Sequence, residues 1–292
     1  MTGWARVVTV AVIIAFFIVI FLGLALGSSV SKKPDAGRPE QCELLATTTD
    51  PHAAVLEPQN TWSNFGYLIA GLLVLYRSRT LLGAMVGLNL AFEFLFSGLY
   101  HAKLNETMQT IDVAWIYVLL LAMIAYAIQS LFLPEWARKT GYPVANAPVL
   151  TAAGIAVAAV VLGVVMGIHK NDVFESTATT IALVVLLAIL FLVALIVAIV
   201  RRGRAGLPPI DMSVVMPVVL IVSVGIPTLF FKFSDGPKHT FFNWCCPKAA
   251  LQSHSAWHIL SAVLVLVAYD FFANFSGDGR IFSFAQPKQE AA

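Results

Sequence analysis

The stretch from Ile181 to Val200, IALVVLLAILFLVALIVAIV, contains no polar side chain and ends at Arg201-Arg202-Gly203-Arg204. About 20 apolar residues in a helix cross the hydrocarbon core of a bilayer, and arginines at such an end belong among the headgroups. Runs of the same kind recur outward in both directions. With this one, extended to 177–200, they give eight expected spans: 7–26, 61–76, 81–102, 108–133, 147–168, 177–200, 212–232 and 250–274. Composition agrees. Of 292 residues, 59% are hydrophobic and 12% charged, and the mean hydropathy is +0.84. A soluble domain carries about 25% charged residues, so this chain has too little polar surface to cover a globule in water. Its formal net charge of +2 makes no case for nucleic acid as a partner.

The expected fold is therefore an all-α integral membrane protein: a seven-transmembrane-helix bundle with one additional N-terminal transmembrane helix. Residues 1–27 form that first helix, 28–59 an outer loop, 60–275 the seven-helix catalytic bundle and 276–292 a flexible inner tail. The first span also fits a signal peptide, with Arg6 before it and Ala25-Leu26-Gly27 as a cleavage-like site. Its apolar run exceeds the usual h-region, which favours retention. Lys and Arg in short loops set orientation. Arg77, Arg79, Arg138, Lys139, Arg201, Arg202 and Arg204 concentrate on one side and place both termini in the cytoplasm.

Ionisable residues inside apolar spans are expensive and mark function by default. Glu93, Ser97 and His101 lie at i, i+4 and i+8 and so share one helical face. A short link leads to Asp112 in the first turns of the next span, which returns it to the depth of His101. The last span opens with His254 and His258, again i and i+4. All three polar insertions fall at one level near the outer side. Three imidazoles with an open fourth position suit a catalytic zinc (Zn2+), which lowers the pKa of bound water. Asp112 supplies a base and Ser97 a hydroxyl for the developing oxyanion.

Ser97-x-x-x-His101, Asp112 eleven positions on, and His254-x-x-Trp257-His258 in the last span resemble the alkaline ceramidases. They also resemble the wider seven-helix hydrolase superfamily that includes progestin and adiponectin receptors, hemolysin III-like proteins and Per1 proteins. Glu57-Pro-Gln-Asn60-Thr61-Trp-Ser63-Asn64 is similar to a segment of the ceramidase branch. The resemblance implies zinc on His101, His254 and His258, with Ser97 and Asp112 catalytic. The implied substrate is a ceramide-like lipid, cleaved at its amide to a sphingoid base and a fatty acid. It also implies calcium at Glu40, Glu43 and Glu57, although Gln41 and Leu45 depart from that motif, and a disulfide from Cys42 to Cys245 or Cys246. Glu93 has two readings, an acceptor that orients a zinc ligand or a protonated acid bonded to a neighbouring helix. Other readings of the same motif are a zinc hydrolase of another N-acyl lipid or a phospholipid ester, and a zinc-containing receptor without activity.

Overall fold

The computed structural model describes residues 12, 15–25, 53–139, 147–208, 210–234, 252–276, 278 and 280–282. Among them are nine helices and no strand. They are α1 (Ala15–Ala25), α2 (Pro58–Ser63), α3 (Phe65–Arg77), α4 (Leu81–Lys103), α5 (Glu106–Lys139), α6 (Ala147–Ile168), α7 (Ser176–Arg204), α8 (Met212–Ser234) and α9 (Ser253–Ser276). Six of them, α4 to α9, are long and apolar enough to cross a membrane. The span expected at 61–76 is divided into α2 and α3 by Asn64.

Local chemistry sets the helix ends. Pro58 occupies the first turn of α2, where its missing N–H costs nothing. Thr80 caps α4, its hydroxyl accepting from the Gly83 N–H at 3.1 Å. Leu104 ends α4 in the left-handed region with φ 44°, its N–H donating to the Tyr100 carbonyl. Glu175 caps α7, accepting from the Thr177 and Ala178 N–H groups. These backbone donors pull the Glu175 carboxyl below its ordinary range, the Ala178 N–H most strongly. The helix α8 runs through Pro217 and Pro227, each of which removes one backbone donor.

Packing brings α4, α5 and α9 together as the centre. α3 lies against α4 and α9, while α6 and α7 flank α5, and α8 flanks α9. α3 and α4 cross backbone to backbone: a Cβ on Gly71 would stand 2.6 Å from the Gly87 carbonyl oxygen, and one on Gly87 would stand 2.8 Å from that of Gly71. α1 docks by its phenylalanines. Phe21 is fully buried and meets the rings of Trp62, Phe65 and Phe94, and Phe17 meets Phe92.

At the far end of α9 the chain turns back on the bundle. Asp278 Oδ1 accepts from the Arg79 and Thr80 N–H groups, and Oδ2 accepts from the Thr80 hydroxyl at 2.8 Å. Asp270 Oδ1 accepts from the Ile281 and Phe282 N–H groups. The beginning of the expected flexible tail is thus fastened, because its carboxylate finds the open backbone donors that precede α4.

Candidate metal centre

The α2–α3 segment builds the first wall of the site. Just before α2 the backbone pairs with the end of α4: the Leu56 N–H donates to the Ala102 carbonyl and the Glu57 N–H to the His101 carbonyl, both at 3.1 Å. That pairing holds Glu57 beside His101. Its Oε2 accepts from His101 Nδ1 at 2.7 Å and from Asn60 Nδ2 at 3.2 Å, with no exposed surface on Glu57. Two turns along, the Ser63 hydroxyl lies 2.8 Å from His258 Nδ1 and 2.8 Å from the Asn60 carbonyl. A hydroxyl has one proton. If Ser63 donates it to the carbonyl, it accepts from His258 Nδ1–H.

These contacts fix which nitrogens look inward. With Nδ1 of His101 and of His258 each held by an acceptor, the Nε2 lone pairs remain for a ligand. His258 Nε2 has no hydrogen-bond partner among the described residues. His254 comes from the same helix one turn earlier, and its Nε2 lies 3.2 Å from His101 Nε2. One ligand atom from each histidine falls within 4.8 Å of the others, and all three residues are buried. Nitrogens bound at about 2.0–2.1 Å in a tetrahedral shell stand about 3.3 Å apart. One edge of the triangle already has that length, and the others are within 4.8 Å. Three buried histidines close together can thus hold a metal ion.

Ser97 and Asp112 complete the group. Both are buried, and Ser97 contributes a side-chain hydrogen bond to Asp112, which also lies in the field of His101. Asp112 Oδ1 has no hydrogen-bond partner among the described residues. The carboxyl therefore retains acceptor capacity beside the histidines. Beneath them, the Tyr67 hydroxyl meets Ser261 Oγ at 2.5 Å, joining α3 to α9.

The sequence-predicted residues separate clearly. His101, His254 and His258 converge, with Asp112 and Ser97 beside them. Glu93 lies on the same stripe of α4 and is buried, but among the described residues no hydrogen bond joins it to a histidine, and its Oε2 has no partner. The carboxylate that orients a histidine is Glu57. Of the three residues expected at calcium, Glu57 is engaged in this way, while Glu40 and Glu43 lie outside the described residues. Cys42, Cys245 and Cys246 lie outside them as well. The roles of Asn60 and Ser63 beside a histidine were not expected. The available signal was their spacing from Glu57, i+3 and i+6, which repeats a polar face along the start of an otherwise apolar span.

Compared with known proteins, this chain matches no family model and no curated protein.

Proposed function

We propose that the protein is a zinc-dependent intramembrane hydrolase that cleaves the amide bond of a ceramide-like lipid. One observation carries the reading: three buried histidines from α4 and α9 converge, two of them held at Nδ1 by Glu57 and Ser63, with a carboxylate and a hydroxyl adjacent. The all-nitrogen donor set suits zinc and leaves a fourth position open. The resemblance of Ser97, His101, Asp112, His254 and His258 to the alkaline ceramidase pattern supplies the substrate class. In this reading α2 and α3 together form the first helix of a seven-helix core, and α1 is the additional helix.

A zinc ion at this position supplies Lewis acidity, polarising a carbonyl oxygen and easing deprotonation of water. The residues of the chain do the rest. Asp112 accepts a proton from the attacking water through its available oxygen, then delivers it to the departing amide nitrogen. The Ser97 hydroxyl donates to the oxygen on which negative charge develops. Glu57 and Ser63 keep two imidazoles in the metal-binding tautomer. Water and amide are consumed, and a carboxylic acid and an amine result. In this reading a membrane lipid would enter laterally between α7 and α8, which make few mutual contacts among the described residues.

The orientation belongs to the same proposal. Arg77, Arg79 and Arg201 lie at the end of the bundle where Asp278 binds Arg79 and where Arg201 sits 5.9 Å over the Phe275 ring. The histidines lie toward the opposite ends of α4 and α9. By the positive-inside rule both termini face the cytoplasm and the zinc site is near the outer side.

Elemental analysis of detergent-purified protein tests the metal first. Wild type should carry about one zinc per chain, as expected for a three-histidine site, and the His254→Ala/His258→Ala variant should carry none. Asp112→Ala should keep the metal and lose about 100-fold to 10,000-fold in turnover of N-acyl sphingoid lipids. Folded wild type without metal would overturn the mechanism. Metal without turnover of any N-acyl or ester lipid would leave a receptor.

A further inference from the structure

Two lysines lie near the site, one after α6 and one on α8, and the hydrolytic reading uses neither. Lys170 follows α6. A Cβ on Gly167 would stand 2.3 Å from Ala114 Cβ, so the end of α6 lies almost on the backbone of α5. This approach brings Lys170 over the first turns of α5, where its Nζ donates to Gln109 Oε1 at 2.7 Å. Gln109 precedes Asp112 by three residues and so shares its face. Lys170 is at least as buried as Asp112. Lys232 reaches from α8 over Trp257, with its Nζ 4.2 Å from the ring centroid. That ring lies 5.1 Å from the rings of both His254 and His258. Asp112 lies in the field of both ammonium groups, and the two histidines in that of Lys232.

A buried ammonium group such as that of Lys170 is expensive, and in a medium of low dielectric constant its attraction for an anion is strong; Lys232 is exposed and covers the Trp257 ring. Lys170, on the α6–α7 connection, adjoins the face of α5 that carries Asp112, and Lys232, on α8, covers the tryptophan ring that meets two of the histidines. We propose that Lys170 and Lys232 form a two-ammonium subsite that binds an anionic group, carboxylate or phosphate, carried by the lipid ligand. The inference rests on the reading of the histidine cluster as a lipid site and adds to it a preference for negative charge near the carbonyl, on the substrate or on the acid released from it. The anion has two sources, the head group of the substrate or the carboxylate of the released fatty acid.

Equilibrium binding of radiolabelled lipids to the detergent-purified full chain tests this in two matched pairs. N-oleoylglycine against N-oleoylethanolamine varies the head group, and oleate against oleyl alcohol varies the acid. Each is measured with metal present and after metal removal, on wild type, Lys170→Gln/Lys232→Gln and Lys170→Arg/Lys232→Arg. In wild type the charged member should bind about tenfold tighter than its neutral partner, the size of one charge-assisted hydrogen bond. The preference should vanish in the Gln variant, survive in the Arg variant and persist without metal, with neutral affinities unchanged. A preference in the first pair assigns the anion to the head group; one confined to the second assigns it to the released acid. Equal binding of charged and neutral lipids by wild type would overturn the subsite, as would a preference that survives in the Gln variant or disappears with the metal. Where the double Gln variant loses neutral lipids too, Lys232→Gln alone decides by the same criteria. Absence of zinc or of turnover removes the hydrolase reading and leaves this comparison intact.

Discussion

Glu57 gives the His101 ring a defined tautomer, suited to holding a metal through Nε2, because its fully buried carboxylate accepts the Nδ1 proton. Replacing it with Gln keeps an acceptor but removes the charge that raises the basicity of Nε2. Changes to such outer partners cost about 10-fold to 100-fold in metal affinity. Glu57→Gln should therefore bind metal more weakly by that factor in a chelator competition, and unchanged affinity would deny Glu57 this role. The contrast with Glu93 shows what a sequence discloses at single residues. His101, His254 and His258 were legible because ionisable groups stand out within apolar runs, and helical spacing puts Glu93, Ser97 and His101 on one face and His254 and His258 on another. The orienting carboxylate was not, since Glu93 shares a stripe with His101 whereas Glu57 reaches it from 44 residues away. Ser63 and His258 are 195 residues apart. Helical periodicity is silent about contacts between distant helices.

Among the helices, the α3–α4 crossing carries a consequence for the site. α3 begins beside Ser63, which holds His258, and α4 carries His101 in its last turn, so the spacing of the two helices bears on the spacing of the two imidazoles. Gly87→Val would place side-chain atoms against the Gly71 carbonyl and the Leu75 backbone. Overpacking of this kind costs about 1–3 kcal/mol. Lower thermal stability in detergent should accompany weaker metal binding. Gly154→Ala is the control: its Cβ meets nothing within 4 Å, and it should be neutral or stabilising by up to about 1 kcal/mol. The apolar runs gave the six long helices with ends within a few residues, since hydropathy and length specify such helices together. The division at Asn64 escaped that pattern. Asn64 keeps helical angles, with φ −62° and ψ −18°, while its side chain donates back to the Asn60 carbonyl. Local hydrogen bonding of this sort leaves no trace in a hydropathy profile.

For the whole molecule, a metal bound by His101, His254 and His258 is a cross-link between α4 and α9 that only the folded state provides. Ligand linkage stabilises the fold by about 2.7 kcal/mol at free metal 100 times the dissociation constant. A chelator should lower the unfolding temperature of wild type and leave that of His254→Ala/His258→Ala unchanged; equal shifts in both would mean that the metal is held elsewhere. The opposite end of the bundle has its own tie, Asp278 on the backbone of Arg79 and Thr80. The first tie joins residues 153 apart in the chain and the second residues 199 apart. A ribosome delivers α4 early and α9 late, so α4 must wait in the bilayer with its first turn missing this carboxylate and its histidine without companions. A metal that binds all three histidines cannot be captured before α9 has been made, because the donor set does not exist until then. A product that stops short of residue 254 presents His101 alone, and one that stops short of residue 278 leaves the start of α4 without its last cap. Completion of the chain is thus written into the architecture as a condition for the centre to form.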